Sequence, residues 1–293
     1  MIKKLAKRIL GTFVRRYRTP LRPGLIPVWD EVSEQHFMMT WRSDSMMETQ
    51  FFRYGLYGAW ERQSLRIWAH LCGDAHEILD IGANTGVYSL LARRNNPAAN
   101  IVALEPIPDN ADVLQTNVDA NAANIAVERV ALSDRDGEAV MYMVKDQLNY
   151  MTSVNDNRYA RHPRIAGRAA VVPVSVSLAT WATLKVKRHL TGPDLIKIDV
   201  EGHEVAVMRS LYAHIAENRP TILLEVIGDE NAASVNEMLR PLDYVFISID
   251  EIGRAATVVD SLWDNNHQNF LLCRREVLDG LQRSGLVRAP AAG

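Results

Sequence analysis

The 293 residues hold only two cysteines, Cys72 and Cys273, far apart and without metal-type spacing. That scarcity excludes a disulfide framework and a cysteine zinc site, and leaves two reduced, buried thiols of a cytoplasmic protein as the expectation. No apolar run approaches the roughly 20 residues that a membrane span requires. A surplus of positive charge is also missing. Lys and Arg number 33 against 35 Asp and Glu, a net charge of -2, which argues against a general nucleic-acid binder. The remainder, 47% apolar and 23% charged, is an ordinary globular composition for one large domain or one domain with an appendage.

What the sequence does contain is one organising stretch, His76-Glu-Ile-Leu-Asp-Ile-Gly-Ala-Asn-Thr-Gly-Val-Tyr-Ser-Leu-Leu-Ala92. A short apolar run from Ile78 to Ile81, with Asp80 near its end, leads into Gly82 and Gly86. Val87, Leu90 and Leu91 then fall at helical spacing, so the order reads strand, glycine turn, helix. Glycine permits a sharp turn and close approach, and the free N–H groups of a helix start suit a polar or anionic ligand. A nucleotide-type site at the carboxyl end of a first parallel strand follows. The dinucleotide pattern G-x-G-x-x-G is not met, because Asn84 stands where close pyrophosphate approach needs a glycine. A nicotinamide oxidoreductase is disfavoured on that ground.

The first thirty residues differ from the rest. Lys3, Lys4, Lys7, Arg8, Arg15, Arg16, Arg18 and Arg22 face a single acid, Asp30. Ile2, Leu5, Ile9, Phe13 and Tyr17 recur at helical spacing, which predicts a basic amphipathic helix over 2–18. Two placements are open: peripheral contact with an anionic inner membrane face, or packing on the domain or a partner, a homo-oligomer included. The Pro-rich stretch 19–27 reads as a linker, and 59–71 as a helix packed on the sheet. Met38, Met39, Met46 and Met47 read as adaptable core rather than as a pocket lining.

From Ile78 onward strand and helix patterns alternate, which predicts a mainly parallel sheet with helices on both faces. Seven strands are expected, at 77–81, 100–104, 125–131, 194–199, 221–226, 243–249 and 269–274. Helices are expected at 86–94, 109–122, 204–217 and 231–240. An interruption at 138–190 carries two short extra strands, 140–144 and 171–176, around a polar loop. The predicted division is a helical N-terminal extension (1–72), a Rossmann-like α/β domain (73–277) containing that insertion, and a tail (278–293).

Asp-Ile-Gly-Ala-Asn-Thr-Gly, residues 80–86, resembles the first motif of class I S-adenosylmethionine (SAM)-dependent methyltransferases. Glu105-Pro106, Asn117, Val130-Ala-Leu-Ser-Asp-Arg-Asp-Gly137 and Leu195-Ile-Lys-Ile-Asp-Val-Glu-Gly-His-Glu204 follow in order. Together they are similar to the signature segments of FkbM-type methyltransferases, from about Ile78 to about Leu272. The resemblance implies SAM as cofactor, with Asp80, Gly82, Asn84, Thr85 and Gly86 around its amino-acid part. It implies Glu105 on the ribose hydroxyls, Ser133 and Asp134 near the adenine, and Asn117 as a further cofactor-side residue. The implied activity is O-methylation of a sugar, glycan or polyketide-like acceptor. An N- or protein-methylating enzyme on the same scaffold, or a non-catalytic SAM-binding regulator, are the alternatives.

The second informative segment is Lys197-Ile198-Asp199-Val200-Glu201-Gly202-His203-Glu204. Alternation places Lys197 and Asp199 on one side of a strand, and a buried Lys197 requires a carboxylate partner, Asp199 or Asp80. An acceptor hydroxyl must lose its proton as it attacks, and a carboxylate or imidazole within hydrogen-bond reach can take it. Asp199, Glu201 and His203 are the candidate catalytic residues, with Glu201 or His203 as base and Asp199 orienting. Glu204 reads as a helix-start acid. No dedicated metal motif is present, although Asp199, Glu201 and Glu225, with His267, form a set that a magnesium-like ion can use. Asn269 and His267 are expected to close the acceptor side.

Overall fold

The computed structural model describes residues 22–42, 45–58, 60–144, 152–154, 171–253, 255–264 and 269–288. The basic segment 2–18 and His267 lie outside them. Among the described residues no helix is long and apolar enough to cross a membrane.

The chain opens with a hairpin, β1 (Gly24–Asp30) and β2 (Gln35–Trp41), paired antiparallel. Residues read from sequence as a linker and a Met/aromatic stretch thus form strands, and the extension is not wholly helical. The cause is period-2 alternation: Ile26, Val28, Phe37, Met39 and Trp41 are buried at every second position. Pro27 is tolerated because β1 pairs on one side only. Asp30 secures the turn, accepting from the Val32 and Ser33 N–H groups, the Tyr57 hydroxyl and the Asn95 amide. Helices α1 (Met46–Tyr54) and α2 (Arg62–Cys72) follow.

The main sheet is built from β3 (Glu77–Ile81), β4 (Asn100–Leu104), β5 (Ile125–Glu128), β10 (Leu195–Ile198), β11 (Thr221–Glu225), β12 (Val245–Asp250), β13 (Ala255–Val259) and β14 (Asn269–Cys273). Their order is β13-β12-β14-β11-β10-β3-β4-β5. The sheet has eight strands rather than the seven expected. Asp250 accepts from the N–H groups of Ile252 and Gly253 and reverses the chain, so that β13 adds to the edge of β12. Strands β5, β4, β3, β10 and β11 run parallel, and β14 runs antiparallel between β11 and β12. The chain progresses outward from β3 in one direction and from β10 in the other. The β3–β10 boundary is therefore the topological switch point, where ligands bind in open α/β sheets.

The segment 125–131, expected as one strand, breaks after Glu128. Its end becomes β6 (Ala131–Leu132) of a second sheet, ordered β6-β9-β7-β8, with β7 (Gly137–Val144), β8 (Thr152–Val154) and β9 (Val171–Ala179). A helix not read from sequence, α5 (Trp181–Arg188), closes that insertion, its start capped by the Thr180 side chain.

Two apolar layers flank the main sheet. Ile78, Ile101, Leu195, Leu223 and Leu271 face α2, α3 (Val87–Asn95), α4 (Pro108–Ala120), α8 (Arg275–Arg283) and the hairpin. Leu79, Val102, Ile196, Leu224 and Leu272 face α5, α6 (Glu204–Asn218) and α7 (Asp229–Leu239). The strand alternation assigns one set of residues to each layer. The extension belongs to the first layer, since Phe37, Met39 and Trp68 share its core with Ile78 and Leu91. Met39 and Met47 are buried there, while Met46 is exposed.

Candidate active site

The loop after β3 is drawn onto the end of β4. Gly82 and Ala83 both donate to the Leu104 carbonyl, and Asn84 N–H donates to Glu105 Oε2 at 2.9 Å. Gly82 has φ +78°, and a Cβ there would lie 1.8 Å from the Asp199 carbonyl oxygen. The turns after β3 and β10 therefore touch backbone to backbone, which only glycine allows. Gly86, at φ +92°, leaves the room into which Leu114 of α4 packs. Asn84 is left-handed at φ +53°, a conformation asparagine tolerates better than most residues.

Glu105 sits where a ribose-binding acid is expected. It also accepts from Ile107 N–H at 3.0 Å. Burial pushes its carboxyl up to about 7 against the pull of those two backbone donors. Asp80 is fully buried, takes a hydrogen bond from Ser89 Oγ at 2.6 Å, and leaves its second oxygen, Oδ1, without a hydrogen-bond partner. Burial raises its pKa, opposed by Lys197 and Ser89. The glycine turn, the adjoining acid and this orphaned buried oxygen fit SAM, the group the motif implies.

Thr85 and Asn117 hold the loop from behind. Thr85 Oγ1 donates to Glu48 Oε1 of α1 at 2.7 Å. Asn117 Nδ2 donates to the Thr85 carbonyl, and its Oδ1 accepts from Thr40 N–H of β2. Both side chains thus bond to protein and fasten the loop to α1 and β2.

The eight-residue segment at 197–204 divides into two groups. His203 Nε2 lies 3.0 Å from Ser133 Oγ, on the side where Asp134 also stands. Burial lowers the His203 pKa, only partly offset by Asp134, so the ring is neutral near pH 7. Glu201 instead joins Asp199 and Glu225, and one carboxylate oxygen from each lies within 4.8 Å of the others. Of the three catalytic candidates, Asp199 and Glu201 share the carboxylate cluster and His203 meets Ser133. Glu201 is left-handed at φ +53°, a conformation that non-glycine residues adopt uncommonly. Glu204 is a structural anchor, accepting from Gly202 N–H at 2.7 Å and from Asn231 Nδ2 at 3.0 Å. Asn269 is also engaged, donating to Ser64 Oγ.

Lys197 is nearly fully buried and pairs with Asp199 at 2.9 Å, one of the two partners expected. Burial alone would lower its pKa, but Asp199, Asp80 and Glu61 outweigh that and hold it above the ordinary lysine range. Burial, and then Asp199 and Glu201, drive the Glu225 carboxyl well upward from its ordinary range. The oxygen set is of the kind hard cations take, yet Lys197 already supplies a positive charge to Asp199. Sequence reasoning missed Glu61, Tyr88, Glu48 and Glu251 at this edge. They come from segments remote in sequence, and no spacing signal announces them.

A parallel sheet with its switch point at β3–β10, a glycine turn there and an acid ending the neighbouring strand define a Rossmann-like protein with a nucleotide-type site. Residues 80–246 match the Methyltransferase FkbM domain. The chain belongs to the FkbM methyltransferases, a SAM-dependent family. It is similar to Methyltransferase 1 of Beauveria bassiana, 29% identical over 46% of this chain and 57% of that protein. It is also similar to the hexuronic acid methyltransferase AglP of Haloferax volcanii, 22% identical over 74% of this chain and 77% of that protein. A solved Methyltransferase FkbM from Methylobacillus flagellatus is 15% identical with a TM-score of 0.41, covering 68% of this chain and 44% of that one. The chain thus spans little more than half the length of the first of these relatives.

Proposed function

We propose that this protein transfers a methyl group from SAM to a hydroxyl of a saccharide, glycan or polyketide-like acceptor. The observation that carries this reading is the Asp199–Glu201–Glu225 carboxylate set, gathered beside the glycine turn at the carboxyl edge of the sheet. The hexuronic acid methyltransferase of Haloferax volcanii, similar over most of both chains, supports a sugar acceptor. SAM, when bound, supplies a methyl already activated on a sulfonium. What remains for the chain is to align the acceptor, exclude water and accept one proton.

Glu201 is the base in this reading. It stands partly exposed in a strained corner beside Glu225. Asp199, paired with Lys197, orients the acceptor against the methyl. Glu225, its carboxyl raised by burial, is hydrogen-bonded to Asp199 within the cluster. His203, tied to Ser133, serves the adenine side rather than the proton transfer. Asp80, Gly82, Asn84, Gly86 and Glu105 surround the cofactor, with Thr85 and Asn117 fixing their loop.

The test is to incubate the purified chain with methyl-labelled SAM and host extract, then separate saccharide, lipid, small-molecule, protein and nucleic-acid fractions. Label in a saccharide or small molecule, stable to base mild enough to cleave only esters, is expected. Label in protein or nucleic acid would overturn the acceptor class and leave the cofactor site standing. SAM binding without transfer to any fraction of an acceptor-rich extract would favour a binding regulator.

A further inference from the structure

Glu61 lies outside every sequence motif, yet the fold brings it to the carboxyl edge where the proposed chemistry sits. It precedes α2 in a left-handed conformation, φ +39°, and remains partly exposed. The start of α2 is clamped to this edge. Glu251 Oε2 accepts from Gln63 N–H at 2.6 Å, Glu251 Oε1 accepts from Ser64 N–H at 2.9 Å, and Arg62 Nε donates to the Glu251 carbonyl at 2.6 Å. The backbone that carries Glu61 is therefore held in place without help from its side chain.

That side chain reaches the other way. Tyr88 Oη donates to Glu61 Oε2 at 2.5 Å, and the Tyr88 ring lies 4.8 Å from Lys197 Nζ, which in turn pairs with Asp199. Tyr88 is buried between Trp60 and Trp68, so its ring has few alternative positions. A cation held over an aromatic face is fixed in direction as well as in energy. The groups around Glu61 are Tyr88 from α3, Lys197 and Asp199 from β10 and its following turn, and Glu251 after β12.

We infer that Glu61 is a positioning residue for methyl transfer: through the Tyr88 hydroxyl it braces the ring that holds Lys197 against Asp199. The inference rests on the reading above, in which Asp199 lies beside the methyl-bearing sulfonium. The N-terminal extension then contributes to the site itself, and not only to the core beneath it. A plain helix-start role for Glu61 would leave the charge presented to the cofactor unchanged.

SAM and S-adenosylhomocysteine differ by one methyl and one positive charge, so the ratio of their affinities reads the field at the sulfonium without an acceptor. Calorimetry on the full chain is the measurement, with Glu61→Ala, Glu61→Gln and Tyr88→Phe compared at one pH. Glu61→Ala and Tyr88→Phe are expected to weaken SAM relative to S-adenosylhomocysteine by about threefold to tenfold, the scale of one lost ordinary hydrogen bond. S-adenosylhomocysteine affinity should change less than about twofold, and Glu61→Gln, which keeps an acceptor for Tyr88, should restore the ratio. Ratios equal to that of the parent chain in all variants, or both ligands weakened together, would overturn the inference while leaving the functional reading intact. A parent chain that binds neither ligand would overturn both. Thermal unfolding of Glu61→Gln, the mildest variant, checks that the fold is retained.

Discussion

At the residue scale, the site depends on two backbones meeting. Gly82 has no room for a side chain because the Asp199 carbonyl occupies the place of its Cβ. Gly82→Ala should destabilise the chain by at least about 1 kcal/mol, since alanine is strained at positive φ and the clash adds to that. Thermal unfolding and SAM calorimetry together should show a lower Tm and lost binding. Glu201 makes the opposite case, a side chain retained despite a strained backbone. Glu201→Gln should lower kcat by about 10²–10⁴, the usual contribution of a general base, with SAM affinity unchanged. Unaltered kcat in that variant would transfer the role to another member of the cluster. The places of Asp80 and Glu105 at the carboxyl ends of neighbouring strands beside the glycine turn were legible from sequence. The separation of His203 from Glu201 was not legible. Two residues of one tight turn can project toward different neighbours, and Ser133 captures the imidazole.

At the element scale, the glycine turn is held by pieces from three directions. The hairpin supplies Thr40, α1 supplies Glu48, and α4 supplies Asn117, whose amide bridges the Thr85 carbonyl and Thr40 N–H. Asn117→Ala would leave those backbone groups unpaired in a buried place, at about 1–3 kcal/mol for each unsatisfied group. A fall in Tm accompanied by a larger KM for SAM is the expected result. A fall in Tm with unchanged KM would mean that the bridge supports the fold without shaping the loop. The hairpin was readable in principle from Ile26–Val28 and Phe37–Met39–Trp41, but the prolines and methionines drew the reading toward a linker and irregular core. The break after Glu128 had no such signal. Ala131 and Leu132 are as apolar as a continuing strand, and pairing with β9 decides which sheet they join.

At the scale of the whole molecule, the extension and the Rossmann-like domain share one apolar layer. A chain beginning at residue 73 would lose the side chains that share a core with Ile78 and Leu91 and expose that layer. Each large side chain uncovered forfeits about 1.5–3 kcal/mol, and with so many lost at once the truncated domain should be insoluble or unfolded by circular dichroism. Acidity acts on the whole fold as well. Burial raises Glu61 to about 8 and Glu105 and Glu204 to about 7, from an ordinary value of 4.5. The folded chain therefore binds more protons than the unfolded chain between those values. The stability these groups contribute is fully present below about 4.5 and is lost as pH rises through 7 and 8. In the absence of ligand, Tm should fall between pH 5.5 and 8.5, by about 2–4 °C for each kcal/mol forfeited. A flat profile would show that these carboxyls ionise normally.

The order of motifs along the chain, the strand–turn–helix unit at Ile78–Ala92 and the alternation that sets Lys197 and Asp199 on one side of their strand were determined by the sequence alone. These are local matters: side-chain period, glycine and the nearest acid, all within a few residues of one another. The rule that ligands meet the carboxyl ends of the strands already gathered Asp199, Glu201 and Glu225 at one edge, and which remote acids join them there was decided only by the tertiary structure. Glu225 joins Asp199 because β10 and β11 are neighbours in the sheet. Glu61 and Glu251 arrive because α2 and the end of β12 close over the same edge. No pattern in one dimension encodes that convergence, since it depends on strand order and on which helix covers which face.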